Sequence, residues 1–251
     1  MRKIILAFIA LSFVSLLFSN NLYFARLKYE GGNWDSQNLA WGELADFLVG
    51  ISNVRAVREP VILTADSPEL FNYPVIFMTG DSAFAEWNHA QIERLKRYFD
   101  AGGIIVIDDC TGLKDSGFSK SVKREFAKIF PNDPLSRIKD SNAVFISFFL
   151  LPGVCGARQS VPYLEGVEKS GQLAVIFSAN DLFGVWEKDK LGNWLKECRP
   201  GGETQRLEAQ KLSVNIIMYA MVGTYKLDAI HTDYISQKMK ALNMKIPGQG
   251  R

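Results

Sequence analysis

Short apolar runs alternate with longer amphipathic segments along the middle of the chain. Residues 75–78 and 104–107 are apolar runs bounded by turn-forming residues, which is the pattern of buried strands. Apolar positions at helical spacing predict helices over residues 88–101 and 119–130. Strands that alternate with helices of this length are typical of crossover units, which join parallel strands. The pattern therefore predicts an α/β fold with a mostly parallel sheet between layers of helices.

The segments on either side extend this arrangement. Residues 23–27 alternate like a strand, and the helix predicted after them starts at a cap formed by Asp35 or Ser36. Two β-rich runs at residues 164–167 and 173–177 are joined by a glycine-containing turn. They predict a hairpin, which adds a small antiparallel part to the sheet.

A long final helix and the segment after it end the predicted domain. Apolar positions predict this helix over residues 205–225, and the lysine-bearing residues 231–251 are interpreted as a partly disordered tail. No internal repeat or low-complexity linker interrupts the sequence. We therefore expect a single α/β domain over residues 21–230.

The first residues have the pattern of a secretory signal. Arg2 and Lys3 precede a nearly unbroken apolar stretch over residues 4–18, which is short for a transmembrane helix. We predict a signal peptide over residues 1–20, or an uncleaved anchor, because residues 18–20 lack a clean cleavage triplet of small residues. The protein is then periplasmic or secreted, and it contacts the membrane only through the leader if that leader stays uncleaved.

Charge and composition exclude several partners. Without Arg2 and Lys3, the 29 basic residues fall to 27, which equals the 27 acidic residues and leaves the mature chain neutral. A neutral chain without a basic run offers no surface for a phosphate backbone, so we expect no nucleic-acid partner. Two histidines and three cysteines are too few for a common four-ligand structural zinc site, and no cofactor is predicted. Cys110, Cys155 and Cys198 allow either one disulfide with a free thiol or three thiols.

Acidic residues follow three of the predicted strands. In an open α/β sheet, ligands bind beyond the carboxyl ends of the strands, where loops and helix N-termini meet. If the three strands are neighbours, their acids share a rim that could bind a hard cation or a polar ligand, or raise one another's pKa. The alternative is that each acid caps the next helix or stabilises its turn. The rim residues are Gly80, Asp81, Asp108, Asp109, Cys110, Asn180 and Asp181.

Aromatic and basic residues could complete such a site. Trp34 and Trp186 lie in polar, glycine-containing segments, and an indole ring offers rigid contact area to a ligand or a partner. Arg124 lies on the helix that follows the acidic pair and could bind the rim carboxylates, or it could lie on a solvated helix face. Trp41 and Trp194 are instead expected to pack in the core.

Several short segments follow one another in an order that a known family shares. The sequence Arg-Leu-Lys-Tyr at residues 26–29 is followed by Gly31-Gly-Asn-Trp34, and the later segments lie at residues 77–80, 108–112, 178–181 and 214–220. The ordered set spans nearly the whole mature chain and resembles the bacterial domain of unknown function 4159 family. The resemblance implies a class I glutamine amidotransferase-like fold, that is, a flavodoxin-like sheet sandwiched by helices, in exported proteins of unassigned activity.

Amidotransferases with that fold carry a nucleophilic cysteine in a small-x-Cys-x-Gly elbow. The sequence around Cys110 meets half of this pattern, because Gly112 is present but Asp108 replaces the small residue. Two neighbouring carboxylates would also raise the pKa of the thiol and weaken it as a nucleophile. Residues 231–233 mimic the His-x-acid pair of those enzymes, but they follow the last predicted helix. We therefore expect a turn-forming or buried thiol.

A second enzymatic interpretation comes from three short blocks that resemble those of the SGNH hydrolases, which are exported serine esterases. In that interpretation Ser82 is the nucleophile, His231 the base, Asp228 its orienting acid and Asn180 an oxyanion donor. The 59 mature residues 21–79 precede the Gly-Asp-Ser block, which should open the domain, and no proline follows His231.

The sequence thus favours an exported binding protein over an enzyme. We expect a degenerate amidotransferase-like pocket, without catalytic residues, that holds a small polar ligand or an unknown protein of the cell envelope. A periplasmic SGNH-type esterase is the alternative. The predicted ligand-binding residues are Gly31, Trp34, Gly80, Asp81, Asp108, Asp109, Cys110, Arg124, Asn180, Asp181 and Trp186.

Overall fold

The computed structural model describes residues 21–223 of the chain. The predictions of a leader over residues 1–20 and of a tail over residues 231–251 lie outside the described residues. So do Asp228 and His231, the acid and the base of the esterase interpretation.

A seven-stranded sheet forms the centre of the described chain. The strands are, in chain order, β1 (Asn21–Leu22), β2 (Ala25–Lys28), β3 (Arg55–Ala56), β4 (Val61–Thr64), β5 (Val75–Gly80), β6 (Ile104–Asp109), β7 (Ser136–Arg137), β8 (Glu165–Lys169) and β9 (Gln172–Ser178). The main sheet has the order β4-β2-β5-β6-β9-β8-β7, while β1 and β3 pair with each other in a separate small sheet. The first five strands of that order are parallel, and β8 and β7 are antiparallel to their neighbours.

Helices cover both faces of the main sheet. They are α1 (Ala40–Ile51), α2 (His89–Asp100), α3 (Gly117–Ile129) and α4 (Gly202–Gly223). Successive side chains of a strand point to opposite faces, so Phe77 packs with the α1 and α4 layer, whereas its neighbour Met78 packs with the α2 and α3 layer. Buried on both faces, the central strands are nearly continuous apolar runs, as parallel strands usually are.

The α/β fold with a mostly parallel sheet is confirmed, and so is the antiparallel hairpin formed by β8 and β9. The predicted start of α1 is wrong by several residues, because neither Asp35 nor Ser36 caps that helix. Asp35 forms an ion pair with Arg26, and α1 begins only at Ala40. The hydrophobic pattern does not predict β4, a four-residue strand at the edge of the sheet with Ile62 exposed.

None of the helices within residues 21–223 is both long enough and apolar enough to span a lipid bilayer.

Replacing Gly80 with alanine should destabilise the protein by about 1–3 kcal/mol, because an added methyl group at this buried position overlaps the Tyr29 hydroxyl and the Phe118 ring. Gly50 is the matched control, since it is exposed in α1 and nothing lies within 4 Å of the new methyl group. Gly50→Ala should leave the free energy of unfolding unchanged or raise it by up to about 1 kcal/mol. Urea unfolding of both variants measures these changes. Equal changes in the free energy of unfolding would contradict the packing around Gly80.

Candidate functional site

The acid-bearing strand ends are neighbours at the carboxyl edge of the parallel sheet. In the pairing register, Gly80 of β5 lies opposite Asp109 of β6, and Asp108 of β6 lies opposite Ser178 of β9. The backbone N–H of Cys110 donates to Gly80 (2.8 Å), and that of Asp181 donates to Asp109 (3.1 Å). The loops after β5, β6 and β9 are therefore tied together at one edge.

Asp108 and Asp109 are adjacent in sequence but point to opposite faces of the sheet. The Asp109 carboxylate accepts hydrogen bonds from the hydroxyls of Ser116, Ser119 and Thr111 and from the Thr111 backbone N–H. Ser116 in turn caps α3 by accepting from the Ser119 N–H. Asp109 therefore stabilises the turn into α3, which is the structural alternative considered for the acids.

The Asp108 carboxylate lies on the other face, within a buried polar cluster. It accepts hydrogen bonds from the backbone N–H groups of Leu182 (2.8 Å) and Phe183 (2.9 Å). The Nε2 atom of Gln37 donates both to Asp108 Oδ2 (2.8 Å) and to Asp181 Oδ1 (2.6 Å). One amide group thus bridges two carboxylates that come from different loops.

Cys110 and Lys196 complete what we call the Asp108 cluster, defined as Gln37, Asp108, Cys110, Asp181 and Lys196. The half-buried Cys110 thiol donates to Ser36 Oγ at 3.1 Å, and Lys196 Nζ contacts both oxygens of Asp181 at 2.8 and 2.9 Å. One oxygen each from Asp108 and Asp181 and the Cys110 sulfur lie within 4.8 Å of one another. The cluster holds the predicted rim residues Asp108, Cys110 and Asp181 together.

Burial sets the ionisation of this cluster. Burial, followed by the charge of Asp181, raises the pKa of Asp108 to about 7, against the opposing effect of its two backbone donors. Burial also raises the pKa of Asp181, although Lys196 opposes it. Burial and then Asp108 raise the pKa of the Cys110 thiol well above its usual range. The thiol is therefore protonated and weakly nucleophilic at neutral pH.

A buried arginine organises the neighbouring corner of the edge. Arg26 forms an ion pair with Asp35 (2.8 Å) and donates to the backbone oxygens of Trp34 and Ser36, each at 2.9 Å. Its guanidinium group lies 5.5 Å from the Trp34 ring centre, and Lys28 lies 5.3 Å from that ring. Trp34 is therefore held at the carboxyl edge in a half-buried position, as expected from its loop.

Gly31 and Asp81, which were also predicted as site residues, lie in the loops after β2 and β5. Gly31 adopts a left-handed backbone conformation (φ 67°), and an added methyl group there would lie 3.0 Å from the backbone nitrogen of Ala85. Asp81 is exposed and accepts a hydrogen bond from Asn33 at 2.8 Å. These residues connect the two loops and do not contact Asp108.

Asn180 supports the backbone of the neighbouring loop. Its Oδ1 atom accepts from the N–H groups of Ser160 (2.8 Å) and Val161 (2.9 Å), and its Nδ2 atom donates to the Val161 oxygen (2.7 Å). The side chain is fully buried. An oxyanion donor must point at the reacting substrate, so this geometry does not favour the esterase role.

Two residues of the predicted site lie elsewhere and are corrected. Arg124 pairs with Glu125 and donates to the Phe84 oxygen at 2.9 Å, on the α2 and α3 face of the sheet, so it does not reach the rim. Trp186 is only 2% exposed and donates from Nε1 to Ser213 of α4 at 3.2 Å. It lies in a short 3-10 helix that packs against α1, so this tryptophan is part of the core.

Gln37, Lys196 and Arg26 belong to this edge but were not predicted as site residues. Gln37 has a left-handed backbone conformation (φ 58°), which is uncommon for a residue with a side chain, and nothing in the sequence around it indicates that conformation. Lys196 lies far along the chain from its partner Asp181. Arg26 did offer a signal, because a charged residue in an otherwise apolar strand indicates a buried partner.

Within residues 21–223, Cys110 does not lie in a nucleophile elbow. A nucleophile elbow requires a strained backbone, but the positive-φ residues other than glycine within residues 21–223 are Gln37, Ser170 and Asp181. The groups that shift the pKa of Cys110 are two carboxylates, a serine and a lysine. All three cysteines are free thiols. Ser82 is exposed in the loop after β5, while its partners in the esterase interpretation lie outside the described residues.

A cavity of about 280 Å³ opens beside this edge, at the ends of β2 and β4. Its walls include Tyr29, Thr64, Asp66, Trp87 and Gln91, and none of its wall residues belongs to the Asp108 cluster. The cluster is therefore packed within the edge and does not line this cavity.

These features define a mixed α/β protein with a mostly parallel sheet and a largely buried polar cluster at the carboxyl edge of that sheet. The family model described as domain of unknown function (DUF4159) matches residues 23–221, and the chain belongs to this family. The search among curated proteins gave no significant match.

Proposed function

We propose that this protein is exported and binds a partner protein of the cell envelope through the carboxyl edge of its sheet, without catalysis. The observation that carries the proposal is the Asp108 cluster, where catalytic chemistry would be expected. There the thiol is kept protonated beside two carboxylates, and the buried acids are occupied by internal hydrogen bonds. Export is supported by the basic and apolar pattern of residues 2–18.

The strand order supports a flavodoxin-like, class I glutamine amidotransferase-like fold. Counted along the chain, the five parallel strands β2, β4, β5, β6 and β9 have the spatial order 2-1-3-4-5, which is the flavodoxin-like order. In such sheets the binding crevice lies at the carboxyl ends, where the strand order reverses between β2 and β5. Arg26, Trp34 and Thr79 lie at this reversal.

Exposed leucines favour a protein partner at this edge. They lie in the loops that follow β2, β6 and β9, and each is at least 50% exposed: Leu39, Leu113, Leu191 and Leu195. An ion pair between Lys188 and Glu43 of α1 (2.6 Å) brings the loop after β9 next to the start of α1. The loops that carry these leucines all follow strands at the same edge, and exposed apolar surface is characteristic of protein interaction sites when it is contiguous. A small polar ligand in the cavity beside Tyr29 is the second candidate.

Site-specific photocrosslinking in cells tests this proposal. A photoreactive residue at Leu113 or Leu195 should give the same discrete crosslinked product, and Leu113→Glu should weaken capture at position 195 by about tenfold, since burial of one leucine contributes about 1.5–3 kcal/mol. Val49 is the matched control, because it is 51% exposed near the opposite end of α1. Identical products from Val49, or none from the two leucines, would contradict the proposal.

The esterase alternative requires a separate measurement. We expect no labelling of the purified protein by a fluorophosphonate, because Asn180, the oxyanion donor of that interpretation, is fully buried and bonded to the backbone of Val161. Ser82→Ala is the control variant. Labelling of the wild-type protein that disappears in Ser82→Ala would establish a reactive serine and overturn the non-catalytic proposal.

A further inference from the structure

We propose that this protein rests on a lipid bilayer with the amino edge of its sheet, beside a leader that stays uncleaved. The amino edge is the side of the sheet at which the parallel strands β2, β5, β6 and β9 begin, opposite the carboxyl edge. The proposal goes beyond partner binding and shares with it only the export of the chain. It extends to the folded domain the membrane contact expected of the leader.

Exposed aromatic rings lie at the amino edge. Tyr23, two residues before β2, is 40% exposed, and Phe71, four residues before β5, is 44% exposed. The half-buried Tyr73 lies edge-on to Tyr23, with 6.4 Å between the ring centres. Phe71 packs edge-on against the buried Tyr98 at 6.3 Å, and the Tyr98 hydroxyl contacts the Tyr73 backbone oxygen at 3.0 Å. The exposed rings are therefore held in place by the core of the domain.

A cavity of about 300 Å³ extends this aromatic surface across the starts of β5, β6 and β9. Its walls include Phe71, Tyr73, Tyr98, Gly102 and Gln172. Tyrosine combines an apolar ring with a hydroxyl group, so it is enriched where hydrocarbon meets water, at the headgroup level of a bilayer. The amino edge thus carries side chains that suit a membrane interface.

Both ends of the described chain leave the domain at the amino edge. Asn21 begins β1, four residues before the start of β2. At the other end, the Tyr219 hydroxyl accepts a hydrogen bond from the Leu173 backbone N–H (2.9 Å) near the start of β9, and α4 ends four residues later at Gly223. Residues 1–20 and 224–251 are therefore attached at the same edge as the exposed rings.

The sequence of the first attached segment favours a lipid surface over a protein partner at this edge. Residues 4–18 form a nearly unbroken apolar stretch of 15 residues, whereas a helix that spans a bilayer needs about 20. A short apolar segment draws its flanking residues to the headgroup level. Phe18 and Asn21 are three residues apart, and an extended chain spans at most about 3.6 Å per residue. An anchored Phe18 therefore keeps the amino edge within about 11 Å.

Charge favours an anionic lipid surface at this edge. Asp100, the last residue of α2, forms an ion pair with Lys169, the last residue of β8. Two further acids and two bases border the edge: Glu59, Glu69, Arg55 and Arg97. The charges of the edge are thus balanced, while residues 224–251 hold five basic residues against two acidic ones. Basic segments next to a membrane are attracted to anionic headgroups, so the second attached segment draws the same edge to the bilayer.

Photolabelling by lipids tests the contact. The full chain, isolated from bacterial membranes, is placed in vesicles of phosphatidylethanolamine and phosphatidylglycerol that contain a lipid with a diazirine at the top of its acyl chain. After illumination, mass spectrometry should locate lipid adducts on Tyr23, Phe71 and Tyr73 as well as on the leader. Leu113 and Leu195 are the matched controls, because they are 60% and 52% exposed in loops of the opposite edge. Adducts confined to the leader, or equal adducts on the two leucines, would overturn the proposal.

A double variant tests the exposed rings. In Tyr23→Ser/Phe71→Ser, lipid adducts on Tyr73 should fall by about tenfold, because the edge loses apolar area that the bilayer covers. Leu113→Ser is the control variant and should leave these adducts unchanged. Both substituted rings are at least 40% exposed, so the fold should persist, and circular dichroism verifies it. Unchanged adducts on Tyr73 in the folded double variant would contradict the proposal.

Retention of the leader requires its own measurement. The intact mass of the protein isolated from membranes should include the apolar stretch over residues 4–18. A mass that corresponds to a chain starting near residue 21 would show that the leader is removed, and it would overturn the proposal.

Discussion

Replacing Trp186 with alanine is expected to lower the free energy of unfolding by about 3–5 kcal/mol. The indole ring packs edge-on against Phe47 of α1, with 5.1 Å between ring centres, and donates to Ser213 of α4. Truncation therefore leaves a cavity between two helices and removes one of the two hydrogen bonds of the Ser213 hydroxyl, which also donates to the Ala209 oxygen. Urea unfolding followed by circular dichroism measures the loss.

Trp194 is the matched control for this prediction. Its half-exposed ring lies under Lys188 (4.4 Å) and Arg206 (4.5 Å), and such cation contacts contribute about 0.5–1 kcal/mol near the surface. Trp194→Ala should therefore cost less than Trp186→Ala. The sequence alone indicates the reverse, with Trp194 in the core and Trp186 in a binding loop. A larger loss of stability in Trp194→Ala than in Trp186→Ala would therefore contradict the structure.

Raising the pH from 4 to above 7 is expected to lower the free energy of unfolding by a few kcal/mol, because the Asp108 carboxyl loses its proton in the folded protein. The pKa of this carboxyl is about 7 in the folded protein and ordinarily 3.8, so the folded state binds the extra proton between these values. Stability therefore falls as the pH rises through this window and levels off above about 7. A shift of this size corresponds to roughly 4 kcal/mol at most, since each pKa unit is about 1.4 kcal/mol.

Denaturant unfolding at several pH values measures the slope of the free energy of unfolding against pH. Asp108→Asn should flatten it, because asparagine does not titrate. Its single oxygen keeps one of the two backbone hydrogen bonds, since Leu182 and Phe183 bind different oxygens of Asp108. The pKa of Asp181 is raised in the same direction, so some slope should persist in the variant. An unchanged slope in Asp108→Asn would show that this carboxyl does not control the pH dependence.

Periodicity was sufficient for the central layers of the fold. β5 and β6 are continuous apolar runs between clear turns, and α2 begins at an asparagine capping box with Gln91 at its third position, so each boundary has a local cause. The edge strand β4 is only four residues long and partly exposed, which leaves no distinctive pattern. The cap expected at Asp35 failed because Arg26, nine residues earlier, binds that carboxylate.

The candidate site was only partly predictable. Strand ends place Asp108, Cys110 and Asp181 at one edge, so their proximity follows from the parallel order. The contribution of Gln37 depends on a left-handed backbone and on contacts with residues 71 and 144 positions away, which no local pattern contains. Trp186 was misplaced because its glycine-containing segment looks like a loop, yet it folds into a short helix that packs on α1.

The opposite orientation of Asp108 and Asp109 makes the length of β6 as important as its composition. Deleting one residue within the strand would reverse the direction of every side chain beyond the deletion. The acid that anchors α3 would then face the buried cluster, and its neighbour would face the serines. Shortened or lengthened versions of this strand should therefore be tolerated far less well than substitutions at the two aspartates.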